Sequence, residues 1–291
     1  MNINESLTLT VKKFEAAGIL SAQLDAEVLL AHLLRCTRAD LMLQRNTDLT
    51  KDQIRTFESF LKRRQAREPI AYITGTKEFW SLPLHVTPDV LIPRPETEHL
   101  VEAALEIMPQ LVRRSLGEGG SPLHILEIGT GSGCITMALA HELLNAQFTV
   151  IDISERALAL AKENLQFAQD RVTFLNTNLF EELSSTSKFD LILSNPPYLS
   201  ASDMEACEPE LLFEPREALY GGKDGLEIIR QILLSAPSHL TSHGWVLLEI
   251  GATQADAVKT IASTPIDNYD YITTKRDLAQ KERVIGFRKK H

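Results

Sequence analysis

The tetrapeptide Asn195-Pro196-Pro197-Tyr198 is the part of the sequence whose residue types most clearly suggest chemistry. Proline fixes φ and carries no N–H, and Pro196 also favours an extended backbone at Asn195. We therefore expect a stiff loop that presents two hydrogen-bond acceptors, the side-chain oxygen of Asn195 and the carbonyl oxygen of Pro196. Two acceptors at a fixed spacing suit a planar –NH2 group, and Tyr198 offers an apolar wall beside it.

Such a loop favours alkylation of an amide or aniline-type nitrogen. This nitrogen is a poor nucleophile because its lone pair is delocalised. Holding both N–H groups would aim the lone pair at an electrophile and stabilise the positive charge that grows on nitrogen. The pattern predicts catalytic roles for Asn195, Pro196 and Tyr198, and a turn without a catalytic role is the alternative for these four residues alone.

A glycine-rich turn, Gly129-Thr130-Gly131-Ser132-Gly133, lies between an apolar strand and a helix. Glycine permits a sharp turn and a close approach to a ligand, and the helix start beyond it suits a carboxylate. The dinucleotide fingerprint requires glycine at position 134, where this sequence has Cys134, so NAD is disfavoured. We expect residues 129–133 to bind a different cofactor, with an unliganded tight turn as the alternative.

Polar side chains at the ends of the next two strands indicate which cofactor. Asp152 ends the second strand, where a carboxylate can accept hydrogen bonds from both hydroxyls of a ribose. A ribose with a carboxylate-bearing chain nearby describes S-adenosylmethionine. Asn178 follows the third strand and could contact the adenine amino group, with Leu179 or Phe180 packing on the base, although a turn-forming Asn is nearly as good an interpretation.

The elements that must position these residues alternate regularly from His124 onward. Strands alternating with helices predict a parallel sheet with helices on both faces. The loop at residues 195–198 then lies at the carboxyl ends of the strands, where ligands bind in such sheets. The two β-like runs within Tyr269–Lys289 predict an antiparallel edge pair.

The first 70 residues predict a small helical bundle that precedes this domain. The side chains of Leu9, Val11, Phe14, Ala17 and Leu20 form a rough helical stripe, and Thr50 with Gln53 forms a capping box. Residues 71–95 are rich in β-formers from Ile70 to Val86 and predict a hairpin linker. A helix is expected from the Pro93–Glu98 segment to about Met108, with a loop over residues 116–122. The predicted domains are thus 1–70, 71–95 and 96–291.

Composition excludes several protein classes. The 291 residues are 44% hydrophobic and 24% charged, which excludes disordered and collagen-like chains. No apolar run reaches the roughly 18 residues of a membrane-spanning helix, and the N-terminus lacks a signal-peptide layout. Neither the three cysteines nor the histidines show metal-ligand spacing, so no metal site is expected. Three cysteines far apart in the sequence do not suggest a disulfide framework, so a cytoplasmic location is expected.

Charge argues against a protein that mainly grips nucleic acid. The net charge is -9, although residues 1–75 carry 11 Lys and Arg against 9 Asp and Glu. The basic excess includes Lys62, Arg63, Arg64 and Arg67. It is either a solvated helix face or a docking surface for a partner that itself binds RNA.

With these residues described, the chain resembles the S-adenosylmethionine-dependent class I methyltransferases and, more narrowly, the release factor glutamine N5-methyltransferases. The resemblance covers nearly the whole chain. It rests on the helical bundle, the glycine-rich turn and Asp152, the tetrapeptide at 195–198, and the segments Pro69–Glu98 and Phe213–Arg230. It implies an α/β class I methyltransferase fold, a Rossmann-like mixed seven-stranded sheet with helices on both faces, preceded by the bundle and the linking hairpin.

The resemblance also implies an activity, methylation of the Gln side-chain amide in the Gly-Gly-Gln motif of class I peptide release factors. Residues 129–133 and Asp152 would hold S-adenosylmethionine, and Asn195 would touch cofactor and substrate. Pro196, Pro197 and Tyr198 would form the Gln pocket, and the bundle would add contacts to the release factor. An acidic residue is common in the family at the position of Asn178, which weakens the predicted adenine contact.

Several alternatives stay open at this point. The same loop chemistry serves amino-methyltransferases that act on an extruded base of DNA or RNA, although the acidic catalytic half and the lack of a basic stripe count against this. Another translation protein, such as a ribosomal protein, is a further possible substrate. A non-catalytic adaptor that binds S-adenosylmethionine would have no need of Asn195. Arg94 and Glu96 are either substrate contacts or a structural ion pair, and the stretch Glu208–Pro215 is a candidate lid.

Overall fold

The computed structural model describes residues 1–117, 120–263 and 268–290. The chain divides into two compact units. The first contains Met1–Thr76 and Glu208–Phe213, and the second contains Lys77–Cys207 and Glu214–His291. The sequence-based boundaries after residues 70 and 95 differ from this division, and the assignment of residues 208–213 to the first unit was not foreseen.

The first unit is helical. Its helices are α1 (Ile3–Ala16), α2 (Ala22–Leu34), α3 (Arg38–Leu43), α4 (Lys51–Gln65) and α5 (Ile70–Thr74). The Thr50–Gln53 capping box is confirmed at the start of α4, because each of these two side chains bonds the other's backbone N–H. The stripe predicted for α1 was partly wrong: Phe14 is fully buried, but Leu9 and Leu20 are exposed, and Ile3 and Thr10 fill the core instead.

Residues 70–74 form a helix, although their sequence predicted a strand. Pro69 caps the start of α5, and Gly75 ends it at φ 72°, a left-handed conformation that favours glycine. Ile73 packs into the core of the bundle. The β-propensity of Ile70, Tyr72 and Ile73 was therefore overridden by these local stops and by tertiary packing.

The cations at the end of α4 are mostly paired. Arg64 is buried and donates from Nε to Asp25 at 2.7 Å and from a terminal nitrogen to Glu210 at 3.0 Å. Arg67 donates to the other oxygen of Glu210 at 2.8 Å, and Arg63 bonds Glu68. Arg64 is therefore not part of a solvated helix face, and Arg64 and Arg67 together anchor the segment Glu208–Phe213 of the first unit. The docking role of the cluster stays a prediction.

A short hairpin, β1 (Thr76–Phe79) and β2 (Leu82–His85), follows the bundle. Its two turn residues, Trp80 and Ser81, both have positive φ, as a tight two-residue turn requires. A 3₁₀ turn (Pro95–Thr97) then leads into α6 (Glu98–Gly117), which is longer than predicted. Leu116 and Gly117 of the expected loop therefore belong to α6, while residues 118 and 119 lie outside the described residues.

A seven-stranded sheet with the spatial order β5-β4-β3-β6-β7-β9-β8 forms the centre of the second unit. The strands are β3 (His124–Ile128), β4 (Gln147–Asp152), β5 (Val172–Asn176), β6 (Phe189–Ser194), β7 (Leu240–Glu249), β8 (Tyr269–Arg276) and β9 (Glu282–Lys289). All neighbouring pairs are parallel except those that β9 makes with β7 and β8. The mixed seven-stranded sheet and its antiparallel pair are thus confirmed. Of that pair, only β8 lies at an edge of the sheet.

Helices cover this sheet in two groups. Helix α7 (Cys134–Glu142) packs on α6 and on α8 (Glu155–Asn164), whereas α10 (Glu227–His239) packs on α11 (Ala255–Ser263). A short helix, α9 (Ala201–Glu205), follows β6. The strand order reverses at β3, because β4 lies on one side of it and β6 on the other. Ligands bind at such a reversal in open α/β sheets, at the carboxyl ends of the strands.

Within the described part of the chain, no helix is both long and apolar enough to cross a membrane.

Candidate active site

A cavity of about 410 Å³ opens at the carboxyl ends of β3, β4 and β6, within the second unit. It brings together most of the site residues that the sequence predicted. These are Gly129, Thr130, Gly131, Ser132, Asp152, Asn178, Leu179, Asn195, Pro196 and Pro197. Gly133 and Tyr198 do not line it.

The glycine-rich turn presents backbone to the cavity. Gly131 has φ 53°, and a Cβ built on it would meet no protein atom within 4 Å, so the space beside it is open to a ligand. Gly133 has φ 80° and faces the other way, because a Cβ there would lie 3.1 Å from Leu165 and 3.3 Å from Ala161. Gly133 therefore lets α8 pack close to the turn rather than touching the ligand itself.

Asp152 is held in a fixed orientation at the end of β4. Its Oδ2 accepts a hydrogen bond from Gly131 N–H and its Oδ1 accepts one from Ser154 N–H, both at 2.9 Å. Burial raises the pKa of the carboxyl above its ordinary value, and the two N–H groups oppose that shift. Each oxygen keeps a second lone pair, so the side chain can still accept two hydroxyl hydrogen bonds from a ribose.

A second carboxyl, Glu127, lies on the floor of the cavity near the end of β3. Its Oε2 accepts from both the backbone N–H and the hydroxyl of Thr136, whereas its Oε1 is buried without a hydrogen-bond partner among the described residues. Burial raises the pKa of Glu127 to about 7. An unpartnered buried acceptor beside the cavity favours a ligand that brings a donor, such as an ammonium group.

The structure separates the three candidates for the adenine contact. Asn178 lines the cavity, but its Nδ2 donates to Glu181 at 2.8 Å, as in a turn-forming Asn. Leu179 lines the cavity with φ 50°, and the exposed Ile153 lies beside Asp152 on the same cavity wall. Phe180 instead stacks on His239, so it is not the residue that packs on a base here.

Asn195 lies at the mouth of the cavity, directly after β6. Its Nδ2 donates to the Thr97 hydroxyl at 3.1 Å, which leaves Oδ1 as an acceptor. No described residue donates a hydrogen bond to Asn195 Oδ1 or to the Pro196 carbonyl oxygen. The two acceptors that the sequence predicted are therefore available to a ligand.

Tyr198, predicted to form an apolar wall, is not among the residues that line the cavity. Its ring packs against the sheet core, and its hydroxyl bonds Glu249 Oε1 at 3.3 Å, so the side chain is directed away from the cavity. Tyr220 lines the cavity instead. An isolated bridge pairs Leu199 with Tyr220 and brings this second tyrosine beside the loop. Tyr220 was not predicted as a site residue, although it lies within the Phe213–Arg230 segment that carried the resemblance.

One wall of the cavity comes from residues far away in sequence. Val90, Leu91 and Pro93 line it, and Glu214 braces this stretch. Glu214 accepts from Ile92 N–H at 3.0 Å and pairs with Arg94 at 2.5 Å. Arg94 therefore makes a structural ion pair, but its partner is Glu214 rather than Glu96. Thr97 was also missed, although it lies in the proline-rich segment.

Among the described residues, no group of three or more His, Cys, Asp or Glu side chains is arranged to hold a metal ion.

Family models match both parts of the chain. The model described as PrmC N-terminal domain matches residues 5–75, and the model described as Methyltransferase small domain matches residues 110–225. The crystal structure of a methyltransferase from Pyrococcus furiosus covers 80% of this chain and 98% of its own, with a TM-score of 0.52 and 19% identity. This likeness shows the class I methyltransferase fold.

Curated relatives match almost end to end. A release factor glutamine methyltransferase from Vibrio cholerae is 40% identical over 285 residues, which covers 98% of this chain and 96% of the relative. A protein of the same name from Coxiella burnetii is 40% identical over 290 residues, covering 99% and 96%. At this identity and coverage, the chain belongs to the release factor glutamine methyltransferase family.

Proposed function

We propose that the protein transfers a methyl group from S-adenosylmethionine to the side-chain amide nitrogen of the Gln in the Gly-Gly-Gln motif of class I peptide release factors. The observation that carries this proposal is the position of Asn195. It lies in the same cavity as the glycine-rich turn and Asp152, with an unused acceptor oxygen.

The cavity fits S-adenosylmethionine by its chemistry. Asp152 would accept the ribose hydroxyls, and the open space at Gly131 admits a ligand against the backbone. Glu127 Oε1 would accept from the ammonium group, and Leu179 and Ile153 would pack on the base. When bound, the cofactor supplies a methyl group on a sulfonium, which is an electrophile.

The chain's own contribution to the reaction is orientation and charge stabilisation. Asn195 Oδ1 and the Pro196 carbonyl oxygen would accept one N–H each from the substrate amide. These contacts direct the nitrogen lone pair and strengthen as positive charge develops on nitrogen. An N-alkylated amide cation is strongly acidic and loses its proton to water, so no strong base is required of the protein. The ring of Tyr220 would cover the amide in place of Tyr198.

The protein substrate would contact more than the amide pocket, and we propose that the first unit contributes to docking it. That unit exposes two adjacent large apolar side chains at the end of α3, Met42 and Leu43, which are 54% and 86% exposed. Exposed apolar residues of this kind are typical of protein-interaction surfaces when they cluster. Leu43→Ser should then raise KM for the release factor and leave kcat unchanged. The net charge of -9 disfavours nucleic acid as the substrate.

Mass spectrometry of an unmethylated class I release factor, incubated with the protein and S-adenosylmethionine, tests the proposal. Peptide mapping should find one added methyl group on the Gly-Gly-Gln glutamine. A release factor with Asn in place of that glutamine is the matched control and should gain none. If calorimetry shows cofactor binding but neither protein is methylated, the substrate belongs to another class. If the cofactor does not bind, the assignment of the cavity fails.

A further inference from the structure

The orientation of the Asn195 amide must be set by something outside the cavity. A side-chain amide has a donor end and an acceptor end of nearly the same shape, and only one of the two orientations places Oδ1 toward a substrate N–H. The Asn195 Nδ2 group donates to Thr97 Oγ1 at 3.1 Å. Thr97 is 2% exposed and belongs to the 3₁₀ turn before α6.

Thr97 can enforce that orientation only if its own proton is directed elsewhere. A hydroxyl has one proton, so Thr97 accepts from Asn195 Nδ2 reliably when it donates to a different group. The group available is Glu249, which ends β7 and is 1% exposed. Glu249 Oε1 accepts from the Tyr198 hydroxyl, whereas Oε2 is buried without a hydrogen-bond partner in the described structure and is therefore an acceptor still open to the Thr97 proton. The Thr97 and Tyr198 hydroxyls both stabilise the charged form of this carboxyl.

The position of Glu249 has no explanation as an ion pair. None of the described cations lies within ion-pair distance of it, and Arg283, which acts on it at longer range, bonds Asp277. A buried carboxylate without a paired cation destabilises the fold. Its value to the protein must therefore lie in what it does to its neighbours.

We propose that Glu249 and Thr97 are positioning residues that act in series to fix the Asn195 amide with Oδ1 toward the cavity. A carboxylate can only accept hydrogen bonds, so it draws the Thr97 proton to itself. The lone pairs of Thr97 Oγ1 are then left for Asn195 Nδ2. This inference rests on the proposed function, because it concerns the residue proposed to hold the substrate amide.

Matched variants at position 97 test the first step. Thr97→Val keeps the shape of the side chain and removes the hydroxyl, whereas Thr97→Ser keeps the hydroxyl. At pH 8 we expect kcat for release factor methylation to fall by about 10- to 100-fold in Thr97→Val, as for a displaced catalytic group. Thr97→Ser should restore it to within about threefold of the original protein. The Kd for S-adenosylmethionine, measured by calorimetry, should be unchanged in both, because Asp152 and the glycine-rich turn are not altered.

Glu249→Gln tests the second step. Its amide can donate to Thr97 Oγ1, which turns the Thr97 proton toward Asn195 and favours the wrong orientation. We expect kcat to fall as in Thr97→Val while cofactor affinity is kept. Thermal unfolding of each variant shows whether it folds, and if Thr97→Val does not, Glu249→Gln with Thr97→Ser decides.

Three results would overturn the inference: a kcat for Thr97→Val or for Glu249→Gln equal to that of the original protein, or a Thr97→Ser as slow as Thr97→Val. These results are distinct from a failure of the proposed function, in which the unaltered protein itself would not methylate a release factor.

Discussion

Gly131 and Asp152 are joined by a hydrogen bond of 2.9 Å from the backbone N–H of the first to Oδ2 of the second. This bond links the glycine-rich turn after β3 to the end of β4, the neighbouring strand. It orients the carboxylate that we expect to hold the ribose. The two sequence motifs of the cofactor site are thus one physical unit rather than two separate contacts.

Replacing Asp152 by Asn should weaken cofactor binding. Asn presents only one acceptor oxygen, and its NH2 group would face the N–H of Gly131 or Ser154. We expect the Kd for S-adenosylmethionine to rise by roughly 10- to 100-fold, the loss of one or two hydrogen bonds to a charged group. Isothermal calorimetry measures this, with the exposed Asp170→Asn as control. An unchanged Kd would remove Asp152 from the site.

A methyl group at Gly131 should separate ligand binding from stability. Gly131→Ala places an Ala at φ 53°, and its Cβ would project into open cavity. Gly18→Ala is the matched control, because Gly18 has φ 70° and is also open, in the first unit. Both should lose about 1 kcal/mol of stability through the left-handed backbone, and only Gly131→Ala should lose cofactor binding. Equal cofactor affinity in the two variants would contradict the predicted contact.

Stability should depend on pH through the buried carboxyls. Burial raises the pKa of Glu249 to about 7, from an ordinary value near 4.5. The folded state therefore binds this proton more tightly than the unfolded state. The stabilisation of the folded state by this proton is fully present below about pH 4.5 and is lost as pH rises through 7.

Glu249→Gln cannot ionise, so it should abolish this part of the pH dependence. At pH 8 the variant should be more stable than the original protein, by roughly 3 kcal/mol in the free energy of unfolding. Urea unfolding between pH 5 and pH 8 measures the effect. Glu127, whose pKa burial also raises to about 7, would keep a similar slope in the variant. A variant with the same stability as the original protein at pH 8 would show that Glu249 is not a buried charge there.

Two arginines of α4 should differ sharply in their effect on the first unit. Arg64 is 7% exposed and pairs with Asp25 and Glu210, whereas the Arg55–Asp52 pair is exposed at 79% and 90%. Removing Arg64 leaves the buried Asp25 carboxylate without its cation, while Glu210 keeps Arg67. Loss of one partner of a buried pair costs about 3–5 kcal/mol, against about 0–1 kcal/mol for an exposed pair. Hydrogen exchange of α2 and α4 should therefore rise strongly in Arg64→Met and little in Arg55→Met. Equal protection in both variants would contradict the structural role of Arg64.

The strand and helix order of the second unit could be predicted because each element repeats a clear local pattern. Buried parallel strands are nearly continuous apolar runs, such as residues 189–194, and glycine marks the turn after β3. Side-chain direction after β6 could not be predicted in this way. Tyr198 ends the loop and Tyr220 lies beside it. Tyr220 lines the cavity because the Tyr198 hydroxyl is buried against Glu249.

Contacts between distant segments were also beyond sequence reasoning. Thr97 and Asn195 are 98 positions apart, and nothing in either local pattern indicates that they bond. The arginines near residue 64 have the spacing of a solvated helix face, yet Glu210 pairs with Arg64 from 146 positions away and with Arg67 from 143. Local periodicity reports which face of an element is apolar, but it carries no information about which charged residue meets it.

The rate of methyl transfer in Asn195→Ala tests most directly whether the Asn195 and Pro196 acceptors drive the reaction. The measurement is a single turnover with saturating S-adenosylmethionine and release factor, followed by mass spectrometry, with the exposed Asn145→Ala as control. We expect the rate to fall by roughly 10²- to 10³-fold in Asn195→Ala, with cofactor affinity largely kept and the control unaffected. A rate equal to that of the control would contradict the proposed role of Asn195.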